Sequence, residues 1–357
     1  MKMKRFNVIA FAVALIMALS ACQNSSVQTA VSTTPTPVKG QIYLYGESHG
    51  VERILNKELE LWQGYYNDNG MRHLFVEYPY YTAEFLNRWM QADDDEILNA
   101  VYADWAGTQG QIPQVKTFFQ EIKRLCPETI FHGTDVGHQF QTTGQRYLKY
   151  LRENGLEDSE QYQMAQTCIE QGKHFAGSNG SMDYAYRENA MAENFRCAFD
   201  KLNGESVMGI YGSAHIGLDK MDFTNTVPSM ANQIREFYGE ALHSEDLRNI
   251  PVRVDTIVVG GKEYKASNFG TEDMTKFSDA YTAREFWRLE DAYENFADRT
   301  KTGDVLPYND YPMPVEAGQV FIIDYTKTDG TIQRTYLRSD EGDLWEGVPT
   351  TAEIAVD

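Results

Sequence analysis

The sequence predicts an α/β fold, with a mainly parallel central sheet flanked by helices and a C-terminal antiparallel, β-rich addition. Two observations favour this fold class. Four short apolar runs alternate with helical patterns over residues 40–250, and two hairpin signals follow over residues 251–357. The chain has 357 residues, of which 42% are hydrophobic, and this is enough to bury a substantial core.

Polar or small side chains follow each of the four apolar runs. The runs, each with the residues that follow it, are 41–45 with 46–50, 74–76 with 77–79, 129–131 with 132–135, and 207–211 with 212–215. Three helical patterns lie between them: one with Ile54, Leu55, Leu59 and Trp62, one over 82–90 with Thr82 as N-cap, and one over 183–201. Because the carboxyl ends of parallel strands share one edge of a sheet, we expect these polar residues to border one cleft.

The C-terminal third of the chain has a different pattern, which predicts two β-hairpins. Their strands and turns are 252–259 and 262–266 around Gly260-Gly261, and 320–325 and 331–337 around Asp329-Gly330. Residues 283–297 are predicted to form a helix. We therefore expect an α/β domain over 40–250 and a hairpin-rich extension over 251–357, which is packed on the same domain and completes or caps its sheet.

Residues 1–22 have the features of a bacterial export signal. Basic residues precede an apolar run that is too short to span a bilayer comfortably, and Leu19-Ser20-Ala21-Cys22 resembles a lipobox. We expect lipidation of Cys22, and the alternative is an ordinary signal peptide with an incidental cysteine. Residues 23–39 are rich in Ser, Thr and Pro and are predicted to be a flexible tether. The domain would then lie outside the cytoplasm, attached to the bacterial cell membrane or envelope by its N-terminal lipid only.

Charge and cysteine usage narrow the function classes. The chain has 32 Lys and Arg against 52 Asp and Glu, a formal net charge of −20, which argues against a nucleic-acid partner. After Cys22, the cysteines are Cys126, Cys168 and Cys197. This odd number allows one disulfide with one thiol left over, and buried unreactive thiols are the simpler interpretation.

One short pattern occurs twice, each time directly after a strand. Tyr45-Gly46 is followed by His49, and Tyr211-Gly212 is followed by His215 with the same spacing. A duplicated half-domain would place these two histidines at equivalent strand ends, facing one cleft. A third Gly-x-x-His, at residues 70–73, precedes its strand, and we interpret it as accidental.

The residues at the strand ends are suited to acid–base chemistry or to metal binding. His49 and His215 can each act as a general base or as a metal ligand, and Glu47, Glu77 and Asp135 can orient a histidine, bind metal or act as a base. Two histidines with carboxylates could bind a divalent metal that activates water. They could equally well activate water themselves, with one residue as a metal-free general base. Structural roles remain the alternatives: hydrogen-bonded histidines, a salt bridge for Glu77, and a cap or Asx turn for Asp135.

A helix before the fourth strand carries a second signal. Arg187, Met191 and Asn194 are spaced i, i+4 and i+7 and lie on one helix face. Arg187 is predicted to clamp a substrate carboxylate or an oxyanion, or else to pair with a neighbouring carboxylate. His132 and His138 are predicted to be structural.

These motifs together resemble a known group of proteins. The segment 187–194, Arg-Glu-Asn-Ala-Met-Ala-Glu-Asn, resembles the R-[DE]-x-x-M-A-x-N segment of erythromycin esterase-like and ChaN-like proteins, in which it precedes a strand that ends in G-x-x-H, as at 212–215 here. Residues 46–50, Gly-Glu-Ser-His-Gly, resemble their opening motif, and residues 75–77 resemble the next strand with its terminal Glu. The order and spacing match over residues 40–220, and the superfamily also includes the Tiki and TraB proteins.

The branches of this superfamily imply different chemistry. Similarity to erythromycin esterases implies that His49 activates water, with Glu47, Glu77, Arg187 and His215 around it. Similarity to Tiki-like peptidases implies a metal bound by His49, His215 and Glu77. The first motif is one residue shorter than the esterase form, G-E-x-x-H, and Gly50 stands where ChaN-like proteins often have aspartate.

Similarity to ChaN-like lipoproteins implies haem binding, for which Tyr78, Tyr80 and Tyr81 are candidate phenolate ligands. The cofactor thus stays open between none, a divalent metal and haem. Our leading hypothesis is hydrolysis of an ester or amide in a small-molecule or peptide substrate, with Asp135 and Tyr78 contributing to substrate binding. A haem- or iron-binding lipoprotein and a cell-surface adhesion module are the alternatives.

Overall fold

A computed structural model describes residues 40–177, 180–275, 277–345 and 347–356. The export signal, the lipidated Cys22 and the tether predicted for residues 1–39 lie outside the described residues. In the described part of the chain, no helix combines the length and the apolar character that a membrane span requires.

Strands and helices alternate in the first part of the chain, and strands predominate after it. The strands are β1 (Ile42–Glu47), β2 (His73–Pro79), β3 (Ile130–Asp135), β4 (Val207–Gly212), β5 (Leu242–Asp246), β6 (Arg253–Val259), β7 (Lys262–Asp273), β8 (Tyr281–Leu289), β9 (Lys301–Leu306), β10 (Gln319–Lys327), β11 (Ile332–Ser339), β12 (Leu344–Trp345), β13 (Val348–Pro349) and β14 (Thr351–Ile354). The helices are α1 (Glu52–Asp68), α2 (Tyr80–Met90), α3 (Glu96–Asp104), α4 (Pro113–Leu125), α5 (Gln145–Glu153), α6 (Glu160–Ala176), α7 (Tyr184–Phe199) and α8 (Met230–Tyr238).

The first five strands form a parallel sheet in the order β3-β2-β4-β1-β5. Their side chains alternate between two buried faces, so that Tyr45 packs against the core that contains α1 to α6, whereas Leu44 packs against the core of α7 and α8. Helices on both faces explain why the three inner strands, β1, β2 and β4, are mostly apolar. The predicted α/β class with a mainly parallel sheet is confirmed.

The C-terminal strands form a second, antiparallel sheet in the order β6-β7-β8-β10-β11-β14-β9. Both predicted hairpins are present within it, because β6 pairs with β7 and β10 pairs with β11. We expected this part of the chain to complete or cap the parallel sheet. It does not complete that sheet, because its strands pair with one another in a separate sheet.

Two local predictions are also wrong. Residues 283–297 were expected to be a helix, but β8 covers their first half, because β7 and β10 pair with it on either side. Thr82 does not cap α2, because the helix begins at Tyr80 and Thr82 lies in its first turn with a buried side chain.

Cys126 and Cys168 are buried thiols that form no disulfide in the described residues, and burial raises the pKa of Cys126 to about 11.

Helix α1 links the two sheets. Arg53, in its first turn, donates hydrogen bonds to the carbonyl of Ile250 at 3.1 Å and to that of Pro312 at 2.8 Å. Its guanidinium also lies 5.7 Å from the ring centroid of Phe269, in β7. The same helix therefore contacts the antiparallel sheet at its N-terminus and the cavity described below one turn later.

Candidate active site

A cavity of about 300 Å³ lies at the carboxyl ends of the parallel strands. Strand ends, helices α1, α4 and α7, and the loop after α3 form its wall. The lining residues that carry ionisable side chains are Glu47, His49, Glu58, Glu77, Tyr78, Asp135, His138 and Arg187. Trp105, Phe118 and Phe119 make another part of the wall apolar. A volume of this size suits a small ligand.

The two Gly-x-x-His motifs follow neighbouring strands. β1 and β4 pair in parallel, with Glu47 opposite Gly212 in the register. A Cβ atom added to Gly212 would lie 3.4 Å from Nε2 of His49 and 3.2 Å from Oε2 of Glu77, so this glycine leaves room for both side chains. His215 reaches the same glutamate from the other motif, with its Nε2 3.4 Å from Glu77 Oε1. The structure therefore brings both histidines to Glu77, although His215 is not part of the cavity wall in the described residues.

His49 forms a dyad with Glu47. Its Nδ1 lies 2.8 Å from Oε1 of Glu47, and 38% of its side-chain surface is exposed. With Nδ1 bound to the carboxylate, Nε2 is the ring nitrogen that faces the cavity. Burial acts to lower the pKa of His49, but the hydrogen bond to Glu47 and the charge of Glu77 outweigh it and raise the pKa to about 9.

A β-bulge explains why two consecutive residues of β2 both line the cavity. Val76 pairs with Gly133 and Pro79 with Asp135, so β2 has one more residue than β3 between these pairs. The extra residue changes the directions of the Glu77 and Tyr78 side chains, which would point to opposite faces in a regular strand. Sequence reasoning identified both residues but not the bulge.

Arg187 holds two buried carboxylates together. It donates to Oδ1 and Oδ2 of Asp135 at 2.9 and 2.7 Å and to Oε1 of Glu77 at 2.5 Å. The Asp135 and Glu77 side chains are 1% and 8% exposed. Burial acts to raise the pKa of both carboxyls, but His215 and Arg187 hold the pKa of Glu77 well below its usual range, and Arg187 and His138 do the same for Asp135.

His215 is held on both ring nitrogens. Its Nδ1 lies 2.6 Å from Oε2 of Glu188, whose other oxygen accepts a hydrogen bond from the backbone N–H of Met230 at the start of α8. Burial acts to lower the pKa of His215, but the charge of Glu77 and the hydrogen bond to Glu188 raise it to about 10. His215 thus contributes positive charge beside Glu77.

The structure also shows the surroundings of three other residues considered in the sequence analysis. His138 was predicted to be structural, but it lines the cavity and its Nε2 lies 3.0 Å from Oδ2 of Asp135. His132 instead bonds to His73, with 2.9 Å between Nε2 and Nδ1. Asn194, on the helix face that carries Arg187, donates to the carbonyl of Thr134 at 3.0 Å and so fixes α7 against β3.

Glu58 and Glu188 were missed by the sequence reasoning, and a signal for Glu58 was present. Glu58 lies four residues after Ile54 and four before Trp62, so it occupies the apolar stripe of α1. Glu188 adjoins Arg187 in the motif, and its nearly complete burial becomes apparent only from the packing of α7 on α8.

The three tyrosines considered as haem ligands do not form one set. Tyr78 lines the cavity and stacks on Trp105 at 4.9 Å between ring centroids. Tyr81 is fully buried and donates its hydroxyl proton to the carbonyl of His138. Tyr80 packs edge-on against Tyr147 at 6.3 Å. A shared phenolate site would require all three tyrosines at one place, and of the three, Tyr78 alone belongs to the wall of the cavity in the described residues.

The residues present do not fit the metal site that the Tiki-like resemblance implies. In the described residues, no three His, Cys, Asp or Glu side chains are arranged to hold a metal ion. The Arg187 guanidinium binds Oε1 of Glu77, and both nitrogens of His215 lie against charged partners. A cation at this place would have to compete with the guanidinium for the same oxygen, so we derive no metal-dependent step.

Comparisons with known proteins found a low similarity to a few solved structures. No family model and no curated protein matches the sequence. A Bacillus cereus protein of known structure is 13% identical, with a TM-score of 0.41, and a succinoglycan biosynthesis protein is 12% identical, with a TM-score of 0.42. An erythromycin esterase variant, with one histidine replaced by asparagine and in its open conformation, is 9% identical, with a TM-score of 0.43. Each match covers 58% of this chain, and it covers 65% of each of the first two neighbours and 70% of the esterase.

Proposed function

We propose that this protein is a hydrolase that cleaves an ester or amide bond in a small substrate, with His49 as the general base that activates water. The observation that carries the proposal is the His49–Glu47 dyad at the wall of the cavity, because a carboxylate on Nδ1 leaves Nε2 to accept a proton. The motif resemblance to erythromycin esterase-like proteins supports the same class of reaction.

The surrounding charges support this role. Arg187 lines the cavity, and its Nη1 has no carboxylate partner in the described residues, since its contact there is the 3.5 Å approach to Nε2 of His215. A guanidinium in this position attracts the negative charge that develops on a carbonyl oxygen under attack. Glu77 accepts hydrogen bonds from Arg187 and from the backbone N–H of Gly212, so its role is to hold these groups in place.

A direct test uses the full chain, purified in detergent, with a panel of nitrophenyl esters and anilides of different acyl groups. We expect hydrolysis of one or more of these substrates and its loss in His49→Gln. His174→Gln is the matched control, because His174 lies on α6, outside the cavity wall. Full activity in His49→Gln, or no hydrolysis by the unchanged protein, would refute the proposal.

We further propose that the chain is exported and anchored through lipid on Cys22. The lipobox-like segment 19–22 and the Ser/Thr/Pro-rich residues after it support this location. Cell fractionation tests it: the unchanged chain should sediment with membranes, and Cys22→Ser should be released or retain its signal. An unchanged membrane fraction and mass for Cys22→Ser would contradict lipidation.

A further inference from the structure

One acidic side chain in the cavity wall has no role in the chemistry described so far. Glu58, on α1, is fully buried, and neither of its carboxyl oxygens has a hydrogen-bond partner in the described residues. It nevertheless lines the cavity, together with Leu55 and Phe118. A buried polar group without a hydrogen-bond partner lowers the stability of the folded state. Its presence in a native protein therefore calls for a functional explanation.

The surroundings of Glu58 favour its neutral form. Burial raises the pKa of its carboxyl well above the usual range, and the nearby charge of Glu47 adds to this effect. A neutral carboxylic acid is a hydrogen-bond and proton donor, whereas a carboxylate can only accept.

Three other groups near the cavity are poorly placed to donate a proton. Asp135 and Glu77 are held as carboxylates by Arg187. His215 is not part of the cavity wall, and Glu188 binds its Nδ1. Glu58 thus combines a position in the cavity wall with a carboxyl group that has no hydrogen-bond partner in the described residues.

We propose that Glu58 is the general acid of this site, the residue that protonates the leaving group of the substrate. The proposal rests on the hydrolase function proposed above and adds the second half of the reaction. His49 and Glu58 line the same cavity from different elements, the loop after β1 and helix α1, so a small substrate bound there would lie next to both residues. One titratable group that takes up a proton and one that gives it away form the usual acid–base pair.

The proton and electron balance of the reaction is simple. Nε2 of His49 takes a proton from water, and the water oxygen forms a bond to the substrate carbonyl carbon. As the tetrahedral intermediate collapses, the bond from carbon to the alcohol oxygen breaks, and this oxygen receives the proton of Glu58. The imidazolium of His49 then loses its proton, and the Glu58 carboxylate regains one, so both groups return to their starting states.

Leaving-group dependence tests this assignment. An alkoxide is a poor leaving group that needs protonation, whereas nitrophenolate leaves without it. For two esters with the same acyl group, we expect Glu58→Gln to lower kcat about 100-fold or more for the alkyl ester and less than about tenfold for the nitrophenyl ester. Glu84→Gln is the control, because Glu84 is a largely buried glutamate on α2 outside the cavity wall, and we expect it to change neither rate.

The outcomes separate the two proposals. If the unchanged protein cleaves neither ester, the hydrolase function fails and the role of Glu58 fails with it. If the protein is active and Glu58→Gln slows both esters equally, or leaves the alkyl ester unaffected, the hydrolase function stands and the role of Glu58 is overturned. Should Glu58→Gln fail to fold, the unchanged protein still provides a test, because its alkyl-ester rate must fall at high pH where its nitrophenyl-ester rate does not. Identical alkaline limbs for the two substrates would overturn the assignment.

Discussion

Replacement of Arg187 by methionine should destabilise the fold strongly at neutral pH. The side chain neutralises two buried carboxylates at once, through three hydrogen bonds of 2.5 to 2.9 Å to Asp135 and Glu77. Methionine keeps much of the side-chain volume but removes the guanidinium from both buried charges, which leaves only His215 beside Glu77 and His138 beside Asp135 among the partners described above. Removal of one partner from a buried ion pair costs about 3–5 kcal/mol, so we expect a loss of this size in the free energy of unfolding.

The pH dependence of this loss has a definite sign. In the unchanged protein, the folded-state pKa of both carboxyls is depressed, so their contribution to stability is present above the ordinary carboxyl pKa of about 4 and is lost as the pH falls through the folded-state values. In Arg187→Met these carboxyls accept protons more readily, and neutral acids need no counter-charge. The difference between the two proteins should therefore be largest at pH 7 and should shrink below about pH 4.

Urea denaturation at several pH values measures both effects. Lys149→Met is the control, because Lys149 makes an exposed pair with Glu153 at 3.7 Å and should change the free energy of unfolding by about 0.5 kcal/mol or less. Two results would refute the reasoning: a loss under about 1 kcal/mol at pH 7 for Arg187→Met, or a loss that stays constant on acidification.

Three further outcomes are expected. Because a general base must be deprotonated and the pKa of His49 is about 9, kcat/KM for the nitrophenyl ester, which needs no general acid, should rise with pH up to about 9, and a profile that is flat between pH 6 and 9 would contradict this role. Glu58→Leu removes a buried polar group without a partner and should stabilise the fold by about 1–3 kcal/mol in urea denaturation, so a destabilised variant would show that Glu58 has a partner we have not seen. Gly212→Ala should lower kcat/KM about tenfold or more and change the free energy of unfolding little, because the added Cβ atom would crowd the side chains of Glu77 and His49. Gly64→Ala, where a Cβ has open space, is its control and should retain full activity.

The sequence predicts the parallel sheet well because its three inner strands, β1, β2 and β4, are covered on both faces and so contain apolar runs. The fifth strand, Leu242–Asp246, was not predicted, because it is an edge strand in which exposed and buried residues alternate. The β8 region was mistaken for a helix because its strand character comes from pairing with β7 and β10 rather than from its own residue pattern.

In the candidate site, too, some residues could be identified from the local sequence, whereas other features depend on tertiary packing. His49, Glu77 and His215 could be identified because each follows or ends an apolar run, and parallel strands place such positions at one edge. Glu58 was not recognised as a buried acid, although it lies in the apolar stripe of α1, because glutamate is a good helix former that is usually exposed. The orientation of Glu77 and Tyr78 likewise depends on the pairing of β2 with β3, since a bulge exists only relative to a partner strand.

The contacts of Arg53 have a consequence for engineering. This residue ties α1 to backbone carbonyls at residues 250 and 312, and Glu58 lies five positions further along the same helix. A fragment that ended at residue 250 would lose the support of Pro312 and Phe269 for the first turn of α1. The antiparallel sheet therefore supports the helix that carries Glu58. Exchange of this sheet between proteins offers a way to change the shape of the cavity without replacing any of its lining residues.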